Sequence, residues 1–63
     1  MKTVLVPLAQ GCEELEAVTV IDLLRRADIQ VMTASLDQVQ TIVASRGVTL
    51  VADYTLSQLL DQT

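Results

Sequence analysis

Four residues near the start of the chain carry groups that could do acid–base or thiol chemistry. In the stretch GCEELEAV, residues 11–18, Cys12 is followed by Glu13, Glu14 and Glu16. A carboxyl group can move protons in a transition state, and a cysteine thiolate is a nucleophile. The spacing raises the question of which carboxyl group has a chemical role and which ones only begin a helix.

Helical geometry separates Glu16 from the other two glutamates. Residues 13–27, EELEAVTVIDLLRRA, are predicted to form a helix whose acidic first turn and basic last turn match the helix dipole. Glu13 and Glu14 fit that first turn as partly solvated groups. Glu16 instead shares a stripe with apolar residues four, seven and eleven positions later, namely Val20, Leu23 and Ala27. We expect Glu16 to be half-buried and to hydrogen-bond a nucleophile or act as a general acid or base; the alternative is an ordinary capping or solvated glutamate.

Strands are predicted on both sides of this helix. Residues 2–7, KTVLVP, and residues 29–36, IQVMTASL, have the β-branched, apolar composition of strands covered on both faces in a parallel sheet. The short loops, with Gly11 in the first, predict a right-handed parallel crossover. Ligands of open α/β sheets bind beyond the carboxyl ends of the strands, which is where Glu16 is expected to lie.

The second half of the chain predicts a hairpin and a short helix. QTIVAS and VTLVAD flank Arg46 and Gly47, a pattern typical of two short strands in a hairpin or in a pair that projects from the sheet. Thr55 is predicted to cap a helix over residues 55–62.

The predicted fold class is therefore α/β, but the chain supplies only one full helix and one short one. A doubly wound parallel sheet needs helices on both faces. The helix over residues 13–27 is also apolar on too many sides for a single contact. We expect residues 1–63 to be the N-terminal part of a longer α/β domain, or one of two polypeptides that form it. The alternative is a small domain that oligomerises.

Composition narrows the classes of function. The chain has 63 residues, one Cys, no His, four basic residues and a net charge of −4. One small domain is the most that such a length can form. The charge argues against a nucleic-acid surface, and no apolar run reaches the roughly 18 residues of a membrane span. We expect a cytoplasmic protein without a disulfide, a secretory signal or a zinc site.

Three motifs together resemble the DJ-1/ThiJ/PfpI superfamily, and within it the YajL/ThiJ-like branch. They are the small-residue turn before EE-x-E, the helix EAVTVIDLLRRA, and the strand pair SRGV…AD. The resemblance implies a flavodoxin-like or Rossmann-like sandwich much longer than this chain. That domain continues to a strand with a glycine pair, an elbow with a reactive cysteine, and a histidine. By position, Glu16 would be the glutamate that hydrogen-bonds the elbow cysteine.

The resemblance implies a cofactor-free glyoxalase or deglycase acting on reactive dicarbonyls such as methylglyoxal. The elbow cysteine, which is not among these 63 residues, would attack the aldehyde while Glu16 moves protons. The alternative is a non-enzymatic redox sensor or chaperone-like homodimer in oxidative stress, in which Glu16 stabilises an oxidised cysteine. The isolated chain lacks the nucleophile and is expected to be inactive.

Gly11, Cys12 and Glu13 are expected to line the pocket around Glu16. Relatives tend to carry a small residue where this chain has Cys12, which favours a partly buried filler. The alternative is a thiol that oxidises or pairs with the elbow cysteine.

The resemblance also implies a homodimer with the first helix and the strand pair in its interface. Arg26 and Arg46 would be interface residues, pairing with Glu13 or Glu14 of the other subunit; solvated surface charges are the alternative. Relatives usually have Gly where this chain has Asp28, so we expect some backbone strain at the end of the helix.

Overall fold

A computed structural model describes residues 2–61 of the chain. Its elements in chain order are β1 (Thr3–Leu8), α1 (Glu14–Arg26), β2 (Gln30–Ser35), β3 (Thr41–Val43), β4 (Thr49–Val51), β5 (Tyr54–Thr55) and α2 (Leu56–Leu60). The predicted ends of β1, α1 and β2 differ from the observed ones by one residue each. Position 62 of the second predicted helix lies outside the described residues.

The three strands β1, β2 and β5 form one parallel sheet in the order β1–β2–β5. In its register Val4 lies opposite Val31, and Ala34 lies opposite Tyr54. The strands β3 and β4 form a separate antiparallel pair, with Ile42 opposite Leu50. The parallel pairing and the hairpin confirm the α/β prediction. The strand β5 was not predicted, because two residues are too few to show a period of two.

The buried core lies where the carboxyl end of β1 meets the hairpin. Leu8, Ile42 and Ala52 are buried together, and Val6, Cys12, Ala17 and Leu50 pack against them. Ile42 has no exposed surface, so the hairpin packs on the β–α–β unit rather than projecting away from it. The prediction that β1 is covered on both faces is wrong for this chain, since Leu5 stays 45% exposed.

Helix α1 lies on the sheet through one narrow face and leaves both flanks open. Its side chains Ala17, Ile21 and Leu24 are half-buried, and none of its described residues is fully buried. The apolar residues of its flanks are exposed, namely Leu15, Val18, Val20 and Leu23. The surplus of apolar surface that the sequence predicts is therefore present on this helix.

Helix α2 begins at Thr55, the cap that the sequence predicts, and Gln58 completes a capping box that was not part of that prediction. The Gln58 N–H donates to Thr55 Oγ1 at 3.2 Å, and the Thr55 N–H donates to Gln58 Oε1 at 2.9 Å. Neither helix within residues 2–61 has the length and hydropathy that crossing a bilayer requires.

The end of α1 is a Schellman motif with Asp28 in the left-handed conformation. Asp28 has φ +61°. Its N–H donates to the Arg25 carbonyl, and the Ile29 N–H donates to the Leu24 carbonyl, both at 3.1 Å. The position at which the sequence predicts strain is therefore one that favours glycine.

Replacing this residue should stabilise the fold. We expect Asp28→Gly to raise the free energy of unfolding by about 0.5–1 kcal/mol, because glycine adopts a positive φ without a Cβ clash. Urea unfolding of the protein measures the change. Asp28→Ala is the control, since it removes the charge but keeps a Cβ, and it should not stabilise. An equal gain in both variants would assign the effect to the charge near the helix end instead.

Candidate functional site

The candidate site is built on the turn that joins β1 to α1. Gly11 has φ +81°, a conformation that glycine adopts at low cost. The Cys12 N–H donates to the Ala9 carbonyl at 3.1 Å and closes the turn. The Cys12 side chain is half-buried and packs against the core. Its placement agrees with that of a small filler at the border of the site.

The hairpin fixes this turn from the other side. The Gly11 N–H donates to the Val43 carbonyl at 2.8 Å, and the Ser45 N–H donates to the Cys12 carbonyl at 2.8 Å. These two hydrogen bonds hold the Gly11 N–H and the Cys12 carbonyl, which lie before and after the peptide group that joins the two residues. They therefore restrict the conformation of Gly11 and Cys12. The position of the Cys12 side chain is thus set by the hairpin as well as by β1.

Two glutamates at the start of α1 have different contacts, since Glu13 caps the helix and Glu14 binds the hairpin loop. Glu13 caps the helix, and its Oε1 accepts from the Leu15 N–H at 3.1 Å. Glu14 accepts from the Arg46 N–H at 3.2 Å and from Ser45 Oγ at 3.1 Å. The interpretation of Glu14 as a simple first-turn group is incomplete. It is half-buried and docks the loop, a role that only the tertiary position of the hairpin reveals.

The same contacts shift the titration of Glu14. Partial burial raises the pKa of Glu14, but hydrogen bonds from its own N–H, from the Arg46 N–H and from Ser45 outweigh burial. They hold the pKa below its ordinary value of 4.5. The ionised carboxylate is therefore the form that binds the hairpin loop.

Glu16 and Cys12 line one cleft between β1 and α1. The cleft has a volume of about 300 Å³. Its lining residues are Val6, Pro7, Leu8, Cys12, Glu13, Glu16, Ala17 and Val20. The structure thus brings together the predicted residues Cys12, Glu13 and Glu16. Gly11 lies next to Cys12 in the turn but is not among the lining residues.

Glu16 is exposed, so the expected half-burial is wrong for the residues described. The stripe that Glu16 shares with Val20 and Leu23 lies on an open flank of α1, away from the half-buried face. The flank borders β1, which is an edge strand within residues 2–61. Glu16 therefore stands beside the cleft with its carboxyl group accessible from solvent.

A second cleft lies on the other flank of α1, and its charged side chains are paired with each other. It has a volume of about 230 Å³. Its lining residues are Leu8, Val18, Ile21, Arg25, Thr33, Leu50, Val51 and Asp53. Its charged groups, Arg25 and Asp53, pair with each other at 3.4 Å, and Asp53 also accepts from the Thr33 N–H. This network ties β2 to the end of the hairpin.

The two arginines predicted at an interface do not pair with Glu13 or Glu14 within this chain. Arg26 Nε donates to Asp22 at 3.1 Å along the helix, and its side chain is 75% exposed. Arg46 uses its backbone N–H on Glu14, and no ion pair within residues 2–61 involves its guanidinium group. Their interface role stays a prediction. Over the same residues, no three Cys, Asp or Glu side chains are grouped to hold a metal ion.

The structure defines an α/β protein with an open parallel sheet and a candidate site at the carboxyl end of β1. The sequence model of the DJ-1/PfpI family matches residues 2–63. The chain belongs to that family, as the sequence resemblance predicts.

Individual relatives agree with this assignment. The chain is 51% identical to protein DJ-1 homolog B of Arabidopsis thaliana over 55 residues, which is 87% of this chain and 13% of that protein. It superposes on Toxoplasma gondii DJ-1, oxidized, with a TM-score of 0.93 and 43% identity, covering 100% of this chain and 34% of the other. A cysteine-to-alanine mutant of a Salmonella typhimurium DJ-1 superfamily protein gives a TM-score of 0.89 at 43% identity, covering 92% and 31%. The chain thus spans between 13% and 34% of the length of these relatives.

The contact between Glu14 and the hairpin loop should depend on pH. The folded pKa of Glu14 lies below its unfolded value, so its contribution to stability is present above about pH 4.5 and is lost as pH falls through the folded pKa. We expect Glu14→Gln to lower the free energy of unfolding at neutral pH and to have a smaller effect in acid. Urea unfolding at about pH 7 and about pH 3 measures both differences.

A double-mutant cycle with Ser45→Ala supplies the control for this experiment. The coupling between Glu14 and Ser45 should be favourable at neutral pH and weaker in acid, because a protonated carboxyl group is a poorer acceptor. A coupling of the same size at both pH values would contradict the assignment of the contact to the ionised carboxylate.

Proposed function

We propose that the complete polypeptide containing this segment is a cofactor-free glyoxalase or deglycase that acts on reactive dicarbonyls. Residues 1–63 would be the N-terminal part of its single domain. The observation that carries the proposal is the accessible carboxyl group of Glu16 in a cleft beside the open edge of β1. A further strand against that edge would bring its own carboxyl end, and the cysteine that follows it, to Glu16.

The proposed chemistry needs one thiolate and one proton carrier. The thiolate of the elbow cysteine attacks the aldehyde carbon of methylglyoxal, a C–S bond forms, and the carbonyl oxygen takes up a proton. Glu16 donates that proton and then carries the proton of the former aldehyde carbon to the neighbouring carbon. The new hydroxyl group passes its proton to the neighbouring carbonyl oxygen, which leaves a 2-hydroxyacyl thioester on the cysteine. Water releases the resulting hydroxy acid from sulfur. No oxidant or reductant is consumed, in keeping with a reaction without a cofactor.

A second candidate is a redox-sensing or chaperone-like protein. It is favoured by the similarity to Toxoplasma gondii DJ-1 in an oxidized form, at 43% identity over the whole of this chain. In this role Glu16 would form a hydrogen bond with a cysteine sulfinate and favour that oxidation state.

The proposal includes a cytoplasmic homodimer of the YajL/ThiJ-like branch, without nucleic-acid or membrane partners. Support for dimerisation comes from the exposed apolar groups on α1 and β4, where Leu15 is 73% and Val51 is 70% exposed. Burying such surface against a second copy is favourable. Arg26 and Arg46 would lie at the border of that interface.

Glu16 is expected to be essential to dicarbonyl turnover. Glu16→Gln keeps the size of the side chain but removes its proton transfer, so kcat for methylglyoxal should fall by about 10²–10⁴-fold in the complete protein. Stopped-time assays of methylglyoxal loss measure it. Asp22→Asn is the matched control, because Asp22 is an exposed carboxylate on the same helix, and it should keep full turnover.

Two outcomes would contradict the enzymatic proposal. Wild-type turnover in Glu16→Gln would remove Glu16 from the chemistry. A wild-type protein with no dicarbonyl turnover, whose cysteine stops at sulfinate under mild peroxide by intact mass, would select the redox-sensing role instead.

A further inference from the structure

The side chain of Gln10 lies along the free edge of β3. Its Nε2 donates to the Thr41 carbonyl at 3.0 Å, and its Oε1 accepts from the Val43 N–H at 2.9 Å. Nε2 also donates to Asp37 Oδ2 at 3.2 Å. One side-chain amide thus joins the β1–α1 turn to both ends of a three-residue strand.

The geometry of β3 explains why an amide fits this position. The Ala44 N–H donates to the Val48 carbonyl, and the Ala52 N–H donates to the Gln40 carbonyl. The residues on either side of β3 thus direct these backbone groups toward the strand that contains β4. In an antiparallel pair, the residues between them point their N–H and C=O groups away from the partner strand. Thr41 and Val43 therefore present their backbone groups at the open edge.

Gln10 meets that edge as a neighbouring strand would. Its C=O accepts from one backbone N–H and its NH₂ donates to one backbone C=O, as a peptide group does in a sheet. The backbone N–H of Gly11 continues the pattern by donating to the Val43 carbonyl at 2.8 Å. The turn is attached to the hairpin as a short third strand made of one side chain and one peptide group.

We propose that Gln10 is a positioning residue that sets the conformation of the turn preceding α1, and through it the cleft shared by Cys12 and Glu16. The attachment restrains Gly11 on one side, while the Ser45 N–H holds the Cys12 carbonyl on the other. The expected effect of Gln10 on turnover rests on the proposed dicarbonyl chemistry. The role of Gln10 in setting the conformation of the turn rests only on the hydrogen bonds described above.

The chain offers a matched control in Gln40. Its Nε2 donates to the Ala52 and Asp53 carbonyls, both at 2.9 Å, at the end of the hairpin away from the turn. Gln40 therefore makes the same kind of bond within the hairpin, and its two side-chain hydrogen bonds go to Ala52 and Asp53 rather than to the turn between β1 and α1. A loss of hairpin stability alone should affect both glutamine variants alike.

The test compares Gln10→Met with Gln40→Met in the complete protein. Methionine keeps the length of the side chain and removes its amide. We expect Gln10→Met to speed hydrogen exchange of the Gly11 and Val43 amides by about tenfold or more, with Gln40→Met leaving both rates unchanged. We also expect kcat for methylglyoxal to fall about tenfold in Gln10→Met only, with little change in KM.

Three results decide the proposal. Unchanged exchange at Gly11 and Val43 in Gln10→Met, or equal acceleration in Gln40→Met, overturns it. If Gln10→Met does not fold, Gln10→Glu replaces it. Glutamate keeps the acceptor for the Val43 N–H but loses the donor to Thr41, so protection at Val43 should exceed that at Gly11, and equal protection of both overturns the proposal. A wild-type protein without dicarbonyl turnover overturns the proposed function, while the exchange rates still decide the role of Gln10.

Discussion

The open edge of β3 is the constraint on which the candidate site depends. A three-residue strand paired on one side only must satisfy the backbone groups on its other side, and here the turn between β1 and α1 does so. The same contact bonds Gly11 to the hairpin, and the next residue, Cys12, packs against the core. Glu14 then holds the hairpin loop against the start of the helix. The acidic motif thus contributes Glu16 to the candidate site and Glu14 to the contact with the hairpin loop.

Because few residues of the described part are buried, the carboxyl group of Glu16 is accessible to solvent. The buried apolar residues of the described part are few, and half of them are alanines, namely Leu8, Val31, Ala34, Ile42, Ala44 and Ala52. Helix α1 keeps apolar surface on both flanks, and β1 has no partner on its outer edge within residues 2–61. Covering the flank that carries Glu16 would bury Val20 and Leu23 and take the carboxyl group out of water. A favourable packing step would therefore also create a dry environment for acid–base chemistry.

The strands and the helix could be predicted because their signals are local. β-Branched runs mark β1 and β2, and the charge pattern at both ends of α1 marks its limits. The apolar stripe distinguishes Glu16 from the other glutamates, but helical periodicity does not say which side of a helix meets the sheet, so it cannot predict that Glu16 is exposed. The roles of Glu14 and Gln10 depend on where a hairpin thirty residues later packs, and no local pattern encodes that. The left-handed Asp28 was expected only because the family resemblance places a glycine there.

We propose that Glu16 is the carboxyl half of a site that a cysteine from the rest of the domain completes. A high-resolution structure of the complete protein tests it most directly, through the distance between the Glu16 carboxyl oxygens and the nearest cysteine sulfur. The account predicts that the β1 edge is paired, that Glu16 is buried, and that this distance is within hydrogen-bonding range, about 3.5 Å or less. A paired β1 with Glu16 still facing solvent, and no cysteine sulfur in contact with it, would contradict the account.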